Sequence, residues 1–475
     1  MNETTSGFSN TTTVPASCAL TNVAPCKSCH SVDDLPPSGF YKLWTSRRRL
    51  TTPGAGLPNC LLPPGHPMAS ISSLPLHLVA DILGLLDNIQ QLPPVLLSHR
   101  IFYSALLDTP SLPLDILRTQ IPENLLPLAV AAYTSQKSIR DLNGIDAETF
   151  LTKCYDQPLQ DVGGHQLHLT LAQALQVGRI DDALSELRDE FTLCSLRRLY
   201  GVNHDDPISD DQALSAGEAY RISRALYRFQ IYRNLFLDKE EDLFPSYDQD
   251  EDEDDSSPDK DQKKLFFDRH SPWVNEQLAC VYDYLETRLT GVMLTILSAT
   301  PAYRQVVVNG FQWGENLTDW LTEKTQLFEE QRCLSLGLPR LSQLLKASTY
   351  EEWQCSLGEV SNLCQSCLEE DLEEFNRDKK PDENHGVWRV ADMDRLAQEV
   401  DADDDVTDDH PRQMWTKVYY DRVHERFRLG DHAFAPMRFV YGLRGIGYVM
   451  WDGKRMEDEV CKGTVDKAYR GDPVF

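Results

Sequence analysis

The chain has 475 residues, of which 41% are hydrophobic and 25% charged, and its 74 acidic against 46 basic residues give a formal net charge of −28. This length predicts two or three domains with a sizeable core, and the many aromatic residues exclude a chain that is disordered throughout. So acidic a molecule repels a phosphate backbone, and we therefore expect no nucleic-acid partner.

Residues 1–70 are rich in Ser, Thr, Pro and Gly and show no hydrophobic periodicity, which predicts a disordered leader. The leader lacks the features of a secretory signal, and no stretch of the chain approaches 18 apolar residues. We therefore expect an intracellular protein, cytoplasmic or nuclear, with no membrane segment. Arg47, Arg48 and Arg49 fit either a short nuclear address or a solvated basic patch.

Two cysteine pairs have a spacing that occurs in metal and redox sites. Cys26 and Cys29 precede His30, a pattern that fits zinc binding, haem attachment or unliganded thiols in a flexible leader. Cys364 and Cys367 fall on one face of a helical pattern. Packing in a core is a simpler interpretation of this pair than a redox function. We expect no bound metal and no cofactor.

Residues 74–107 form the most apolar part of the chain, with 20 hydrophobic residues among 34. At helical spacing the first of them fall into two stripes: Leu76, Val79, Leu83 and Leu86, and beside them Leu78, Ile82, Leu85 and Ile89. A break is predicted at Pro93–Pro94, followed by a second apolar helix. So small a unit cannot cover both stripes by itself, and either the rest of the chain or a partner must cover the outer one.

The run LPLHLVADILGLLDNIQQLPPVLLSHRIFYSALLDTP, which begins at Leu74, resembles the F-box. Ten residues match its loose pattern: Leu74, Pro75, Ile82, Leu83, Leu86, Leu92, Leu97, Ser98, Arg100 and Phe102. Leu76 and His77 stand where an acidic residue commonly follows the opening Leu-Pro. The layout of the chain is also similar to that of uncharacterised fungal F-box-like proteins.

The resemblance implies a three-helix unit that binds a Skp-type adaptor of cullin-RING ubiquitin ligases, while the rest of the chain selects an unknown protein substrate. Six residues are then expected to form or support the adaptor-binding surface: Leu74, Pro75, Ile82, Leu83, Leu86 and Phe102. Such a protein is not an enzyme. Two alternatives stay open, a helical scaffold or interaction protein whose 74–107 segment is simply core, and an enzyme with an unrecognised site.

The middle of the chain predicts a larger helical domain in two parts, 118–237 and 265–398. The acidic loop 238–264 separates them, and the acidic linker 399–410 follows; residues 238–261 hold 13 acids and two lysines. Ser215 and Glu218 form a capping box that begins a long amphipathic helix, which ends near Asp238. Ser271 is a predicted N-cap, with Pro272 at the first helical position. The helices on either side of the loop are expected to face each other.

Residues 411–475 have a different character, since positions 411–451 carry nine aromatic and seven basic residues against three acids. This reversal of charge favours a segment that packs on the acidic helical domain. Its aromatic residues fit either a core or a recognition surface. The string GLRGIG at 442–447 predicts a turn, because it lacks the spacing of a nucleotide-binding loop. The sequence as a whole predicts a mainly α protein, with an F-box-like module at 71–117 followed by a larger, irregular helical domain.

Overall fold

The structure is a computed structural model. It describes residues 71–155, 168–203, 212–237, 258–299, 307–308, 311–312, 333–349, 352–353, 356, 368, 371–372, 409–427 and 441–470. The predicted leader, most of the acidic loop, most of the acidic linker, Arg47 to Arg49 and both cysteine pairs lie outside the described residues.

The fold is mainly α-helical, which confirms the predicted fold class. The first part of the chain forms α1 (Leu76–Leu83), α2 (Leu92–Ser98), α3 (Arg100–Asp108), α4 (Leu112–Gln120), α5 (Leu126–Thr134), α6 (Lys137–Asn143) and α7 (Ala147–Thr149). The second part forms α8 (Leu171–Tyr200), α9 (Ala216–Tyr232), α10 (Pro258–Asp268), α11 (Pro272–Ala299), α12 (Leu338–Lys346), α13 (His410–Phe427), α14 (Tyr441–Gly445), α15 (Gly453–Met456) and α16 (Glu459–Arg470).

Short elements complete the secondary structure. The strands β1 (Val307–Val308) and β2 (Phe311–Gln312) form an antiparallel pair, in which Val307 lies opposite Gln312. Single 3₁₀ turns occur at Ile71–Ser73 and Ile89–Gln91, and π-helical turns extend α7 and α9. The sheet is too small to contribute a layer, so helix packing determines the architecture.

Residues 76–108 form three short helices, and their boundaries differ from the expected ones. Pro93 and Pro94 do not break a helix; they occupy the first turn of α2, where a missing N–H breaks no helical hydrogen bond. The first break lies instead at residues 84–91, between α1 and α2. A second break lies at His99, which is extended and whose Nδ1 accepts a hydrogen bond from the Ile101 amide at the start of α3.

Helix α9 lies at the centre of the described structure. It begins at the predicted capping box, in which the Ser215 hydroxyl accepts from the Glu218 amide and the Glu218 carboxylate accepts from the Ser215 amide. The sequence predicts one apolar face and one solvent face, but every residue from 221 to 232 is buried. Helices α5, α8 and α11 pack around α9, and its polar side therefore faces protein instead of water.

The buried polar side of α9 carries two arginines that bind neutral groups of α11. Arg224 donates to the Gln277 side chain at 2.9 Å, and Arg228 donates to the Val274 carbonyl and the Asn275 side chain at 2.9 and 2.7 Å. These contacts fix the packing of α9 against α11, the pairing of helices expected from the sequence.

Helix α11 begins at Pro272, as predicted, but without the predicted side-chain cap. Ser271 is fully buried, and its hydroxyl forms no hydrogen bond with the described residues. A fixed proline φ angle favours the first helical turn even without a capping oxygen. Helix α10 begins at Pro258, so helix resumes within the range 238–264 that the sequence predicts as loop.

The described residues of the C-terminal segment pack on α8, α9 and α11 and contribute buried aromatic side chains to the core, among them Trp415, Tyr448 and Trp451. Positions 441–445 are helical instead of a turn, and Gly447, with a φ of 65°, provides the change of direction. A side chain at this positive φ would be strained, which explains a glycine there.

Two arginines of this segment bind acids of the central helices. The Arg444 guanidinium is fully buried and donates to both Glu276 oxygens at 2.8 and 3.0 Å, with Asp283 at 3.4 Å. Burial alone would lower the pKa of Arg444, but Glu276 and Asp283 raise it well above its ordinary value. Arg455 donates to Glu218, which therefore both caps α9 and anchors the C-terminal segment. Among the described residues, no helix combines the length and apolar composition needed to cross a membrane.

Replacing Arg444 with Met tests this anchor, because it leaves Glu276 and Asp283 as buried carboxylates without their cation. We expect a loss of about 3–5 kcal/mol in the free energy of unfolding, measured by urea denaturation. Arg118→Met is the control, since the Arg118–Asp115 pair is exposed and its loss should cost below about 1 kcal/mol. Equal losses in the two variants would contradict a structural role for the buried pair.

Candidate docking surface

The first three helices pack around one of the two apolar stripes of α1. Val79 and Leu83 are buried against α3, and Leu76 and Leu86 are half-buried beside them. Ala105 on α3, with Leu92 and Leu96 on α2, completes this small core. The inner stripe therefore holds the unit together.

The second stripe of α1 faces outward. Leu78, Ile82 and Leu85 follow one another at spacings of four and three residues, and their side chains are 41%, 46% and 80% exposed. Ile89, the last residue of the stripe, lies beyond the end of α1 and is buried. Leu78 and Ile82 lie on α1 and Leu85 lies in the turn that follows it, so exposed apolar side chains extend from the helix into this turn.

Neighbouring helices add further exposed apolar side chains. Tyr103 and Leu107, four residues apart on α3, are exposed, and so is Leu97 at the end of α2. Among the side chains that the structure describes, ten large hydrophobic ones are exposed, and seven of these belong to residues 71–107. We call these seven the docking surface: Ile71, Leu78, Ile82, Leu85, Leu97, Tyr103 and Leu107. Concentration of exposed apolar area in one segment is typical of a protein interaction site.

The structure places the six residues expected to form or support the adaptor-binding surface in three environments. Ile82 and Pro75 are exposed, and Pro75 is the N-cap of α1. Leu83, at 2% exposure, belongs to the core. The remaining three are half-buried: Leu74, Leu86 and Phe102. Ile82 and Pro75 are therefore accessible, and Leu83 supports the unit from inside. The other three residues are only partly accessible.

A polar junction joins the three-helix unit to the rest of the protein through the turn at 88–90. The Asn88 side chain donates to the Asp182 carboxylate at 2.8 Å, and the Gln90 side chain donates to the Leu175 carbonyl at 2.7 Å. The Ile89 amide donates to the Gln120 side chain at 3.0 Å. These hydrogen bonds attach the turn to α8 and to the end of α4.

The same junction contains two neighbouring carboxylates on α8. Asp181 accepts from the Tyr227 hydroxyl at 2.7 Å and from Gln120 at 3.0 Å, and Asp182 also lies 3.3 Å from the Gln120 nitrogen. We call Asn88, Gln120, Asp181, Asp182 and Tyr227 the junction cluster. The junction cluster links the three-helix unit to α4, α8 and α9 through side chains that are distant in sequence.

The carboxylates and the phenol of this cluster have shifted pKa values. Burial raises the pKa of Asp182 to about 6, with a further increase from Asp181 and Glu186 and a decrease from the Asn88 hydrogen bond. Burial also raises the pKa of Asp181, against the hydrogen bonds from Tyr227 and Gln120. Burial raises the pKa of Tyr227 well above its ordinary value, and the Asp181 charge adds to this increase.

The sequence did not indicate the junction cluster, because its members are ordinary polar residues scattered from position 88 to position 227. Among the described residues, no group of three or more His, Cys, Asp or Glu side chains is placed to hold a metal ion. Comparison of the chain with protein-family models, with curated proteins and with solved structures gives no match.

Gly178 on α8 provides a test of how closely the turn approaches the helix. A Cβ atom at this position would lie 2.3 Å from the Cγ2 atom of Ile89, which is fully buried and has little room to move. We expect Gly178→Ala to lower the free energy of unfolding by about 1–3 kcal/mol through overpacking.

Gly463→Ala is the matched control, because Gly463 lies within α16 and a Cβ atom there would meet nothing within 4 Å. This change should raise the free energy of unfolding by about 0.5–1 kcal/mol, since alanine favours the helix. Thermal and urea denaturation of both variants measure the difference. A stabilised Gly178→Ala variant would contradict the close contact.

Proposed function

We propose that this protein is a substrate-recruiting subunit of a cullin-RING ubiquitin ligase, in which residues 71–108 bind a Skp-type adaptor and the rest of the chain holds the protein to be modified. The docking surface is the observation that supports the proposal most strongly. The resemblance of the sequence from Leu74 onward to the F-box supports the choice of partner.

The exposure of the outer stripe favours this function over a scaffold in which the segment is core. A core helix pair buries both stripes, whereas an adaptor-binding unit leaves one of them accessible before its partner arrives. The structure leaves Leu78, Ile82 and Leu85 exposed while Val79 and Leu83 are buried. The three helices α1 to α3 also agree with the three-helix unit that the resemblance implies.

Covering the exposed side chains of the docking surface would contribute favourably to the free energy of binding. Covering one exposed Leu or Ile contributes about 1.5–3 kcal/mol of burial, and a tenfold change in the dissociation constant corresponds to about 1.4 kcal/mol. A few such side chains at the centre of an interface therefore determine its affinity. Such a subunit performs no chemistry; it raises the local concentration of the target near a transferase in the same assembly.

Leu85→Asp in the full-length chain tests the proposal. Because Leu85 is 80% exposed, the substitution should leave the fold intact while it places a charge in the apolar interface. We expect the dissociation constant for a recombinant Skp-type adaptor, measured by isothermal titration calorimetry, to increase at least about tenfold. Leu83→Asp is a poor test, because Leu83 is buried and the variant would unfold the unit.

Leu142→Asp is the matched control, since Leu142 on α6 is 82% exposed but lies outside the docking surface. It should change the dissociation constant by less than about twofold, and circular dichroism should show both variants folded. Failure of the wild-type chain to bind the adaptor would overturn the proposal. Equal weakening by the two substitutions would also overturn it.

A further inference from the structure

The turn at 88–90 is the place where long-range hydrogen bonds attach the three-helix unit to the remainder of the described chain. Asn88, Ile89 and Gln90 each contribute one such bond, and the bonds end on α8 or on the last residue of α4. At the same point Ile89 packs against Gly178 so closely that no side chain fits between them. Separation of the unit from α8 would therefore begin by opening this turn.

Asp182 is the ionisable residue of this attachment that contacts the turn directly. Its carboxylate accepts from Asn88 of the three-helix unit and from Gln120 of α4, so opening the turn removes one of these two partners and admits water to the carboxylate. We propose that the Asn88–Asp182 contact is a proton-sensitive latch, which holds the three-helix unit on α8 more firmly when Asp182 is protonated.

The direction of the pH dependence follows from the pKa of the Asp182 carboxyl group in the closed and in the open latch. In the closed latch, burial raises the pKa of Asp182 to about 6, and in an open latch contact with water lowers this pKa again toward its ordinary value of 3.8. The closed form therefore binds a proton more tightly than the open form. Its stability is greatest at low pH and decreases as the pH rises through about 6, where the closed form must carry a buried charge.

The charged groups around Asp182 do not reverse the loss of latch stability with rising pH. Helix α8 supplies three charged neighbours: Asp181, Glu186 and Arg188. Asp181 and Glu186 raise the pKa of Asp182. Arg188 lowers the pKa of Asp181, and Lys346 of α12 pairs with Glu186.

The other elements packed against the two carboxylates present neutral groups. The turn and α4 present the amides of Asn88, Gln90 and Gln120, and α9 presents the Tyr227 hydroxyl to Asp181. Neutralising Asp182 thus removes a negative charge from an acidic cluster.

Hydrogen–deuterium exchange of the full-length protein tests the latch. Opening is measured on peptides from 76–108 and from α9, at pH 5 and pH 8, after correction for the intrinsic exchange rate. A pKa that falls from about 6 toward 3.8 on opening gives an expected increase of up to about tenfold in the opening constant of the 76–108 peptides, relative to those of α9, between pH 5 and pH 8.

Asp182→Asn separates the latch from other pH effects, because the amide oxygen still accepts from Asn88 but carries no charge. This variant should open less than the wild type at pH 8, and its relative opening should change by less than about threefold between the two pH values. Asp189→Asn is the control: Asp189 is an exposed acid on the same helix, and its variant should keep the wild-type dependence.

A wild-type protein whose 76–108 peptides show no pH dependence relative to α9 would overturn the latch, even if the Asp182→Asn variant did not fold. An Asp189→Asn variant that lost the dependence would overturn it as well. The latch bears on adaptor binding only through the proposed function, but exchange is measured without adaptor. A pH-dependent opening in a protein that binds no adaptor would leave the latch standing and remove the proposed function alone.

Discussion

A short helix with two apolar stripes can bury only one of them in a unit of three short helices. In α1 the stripe with Val79 and Leu83 forms the small core, and the stripe with Leu78, Ile82 and Leu85 remains in contact with water. Exposing the inner stripe would destabilise the unit, whereas the outer stripe contributes little to its core. The division between a buried and an exposed stripe is therefore a consequence of helical spacing.

The attachment of this unit to α8 uses a different kind of interaction. Apolar contact at Ile89 and Gly178 gives the close approach, and hydrogen bonds from Asn88 and Gln90 fix the orientation. The hydrogen bonds end on a carboxylate and a carbonyl that burial has partly removed from water, where an unmade bond is costly. The unit is thus held in one orientation by a small number of contacts, and this arrangement makes a single titrating group able to influence it.

The sequence predicted elements whose signals are local and missed those that depend on contacts between distant segments. The capping box of Ser215 and Glu218 and the helix start at Pro272 were correct, because both are determined within a few residues. The predicted solvent face of α9 was wrong, since α9 is enclosed by other helices. The predicted side-chain cap at Ser271 was also wrong, because its hydroxyl is buried without a hydrogen bond to the described residues. The two stripes of α1 were visible in the sequence, but which of them faces inward depends on α3 and could not be predicted from periodicity.

The role of Glu218 shows why the C-terminal segment had to be seen in the structure. As a capping residue it is readable from its spacing to Ser215, yet the same carboxylate accepts two hydrogen bonds from Arg455, 237 positions later in the chain. A second pairing, of Arg444 with Glu276, repeats this arrangement on α11. Both acids are buried, so each needs its arginine to avoid an uncompensated charge. Two basic residues of the C-terminal segment therefore compensate buried acids of the central helices, which ties the described part of this segment to the core.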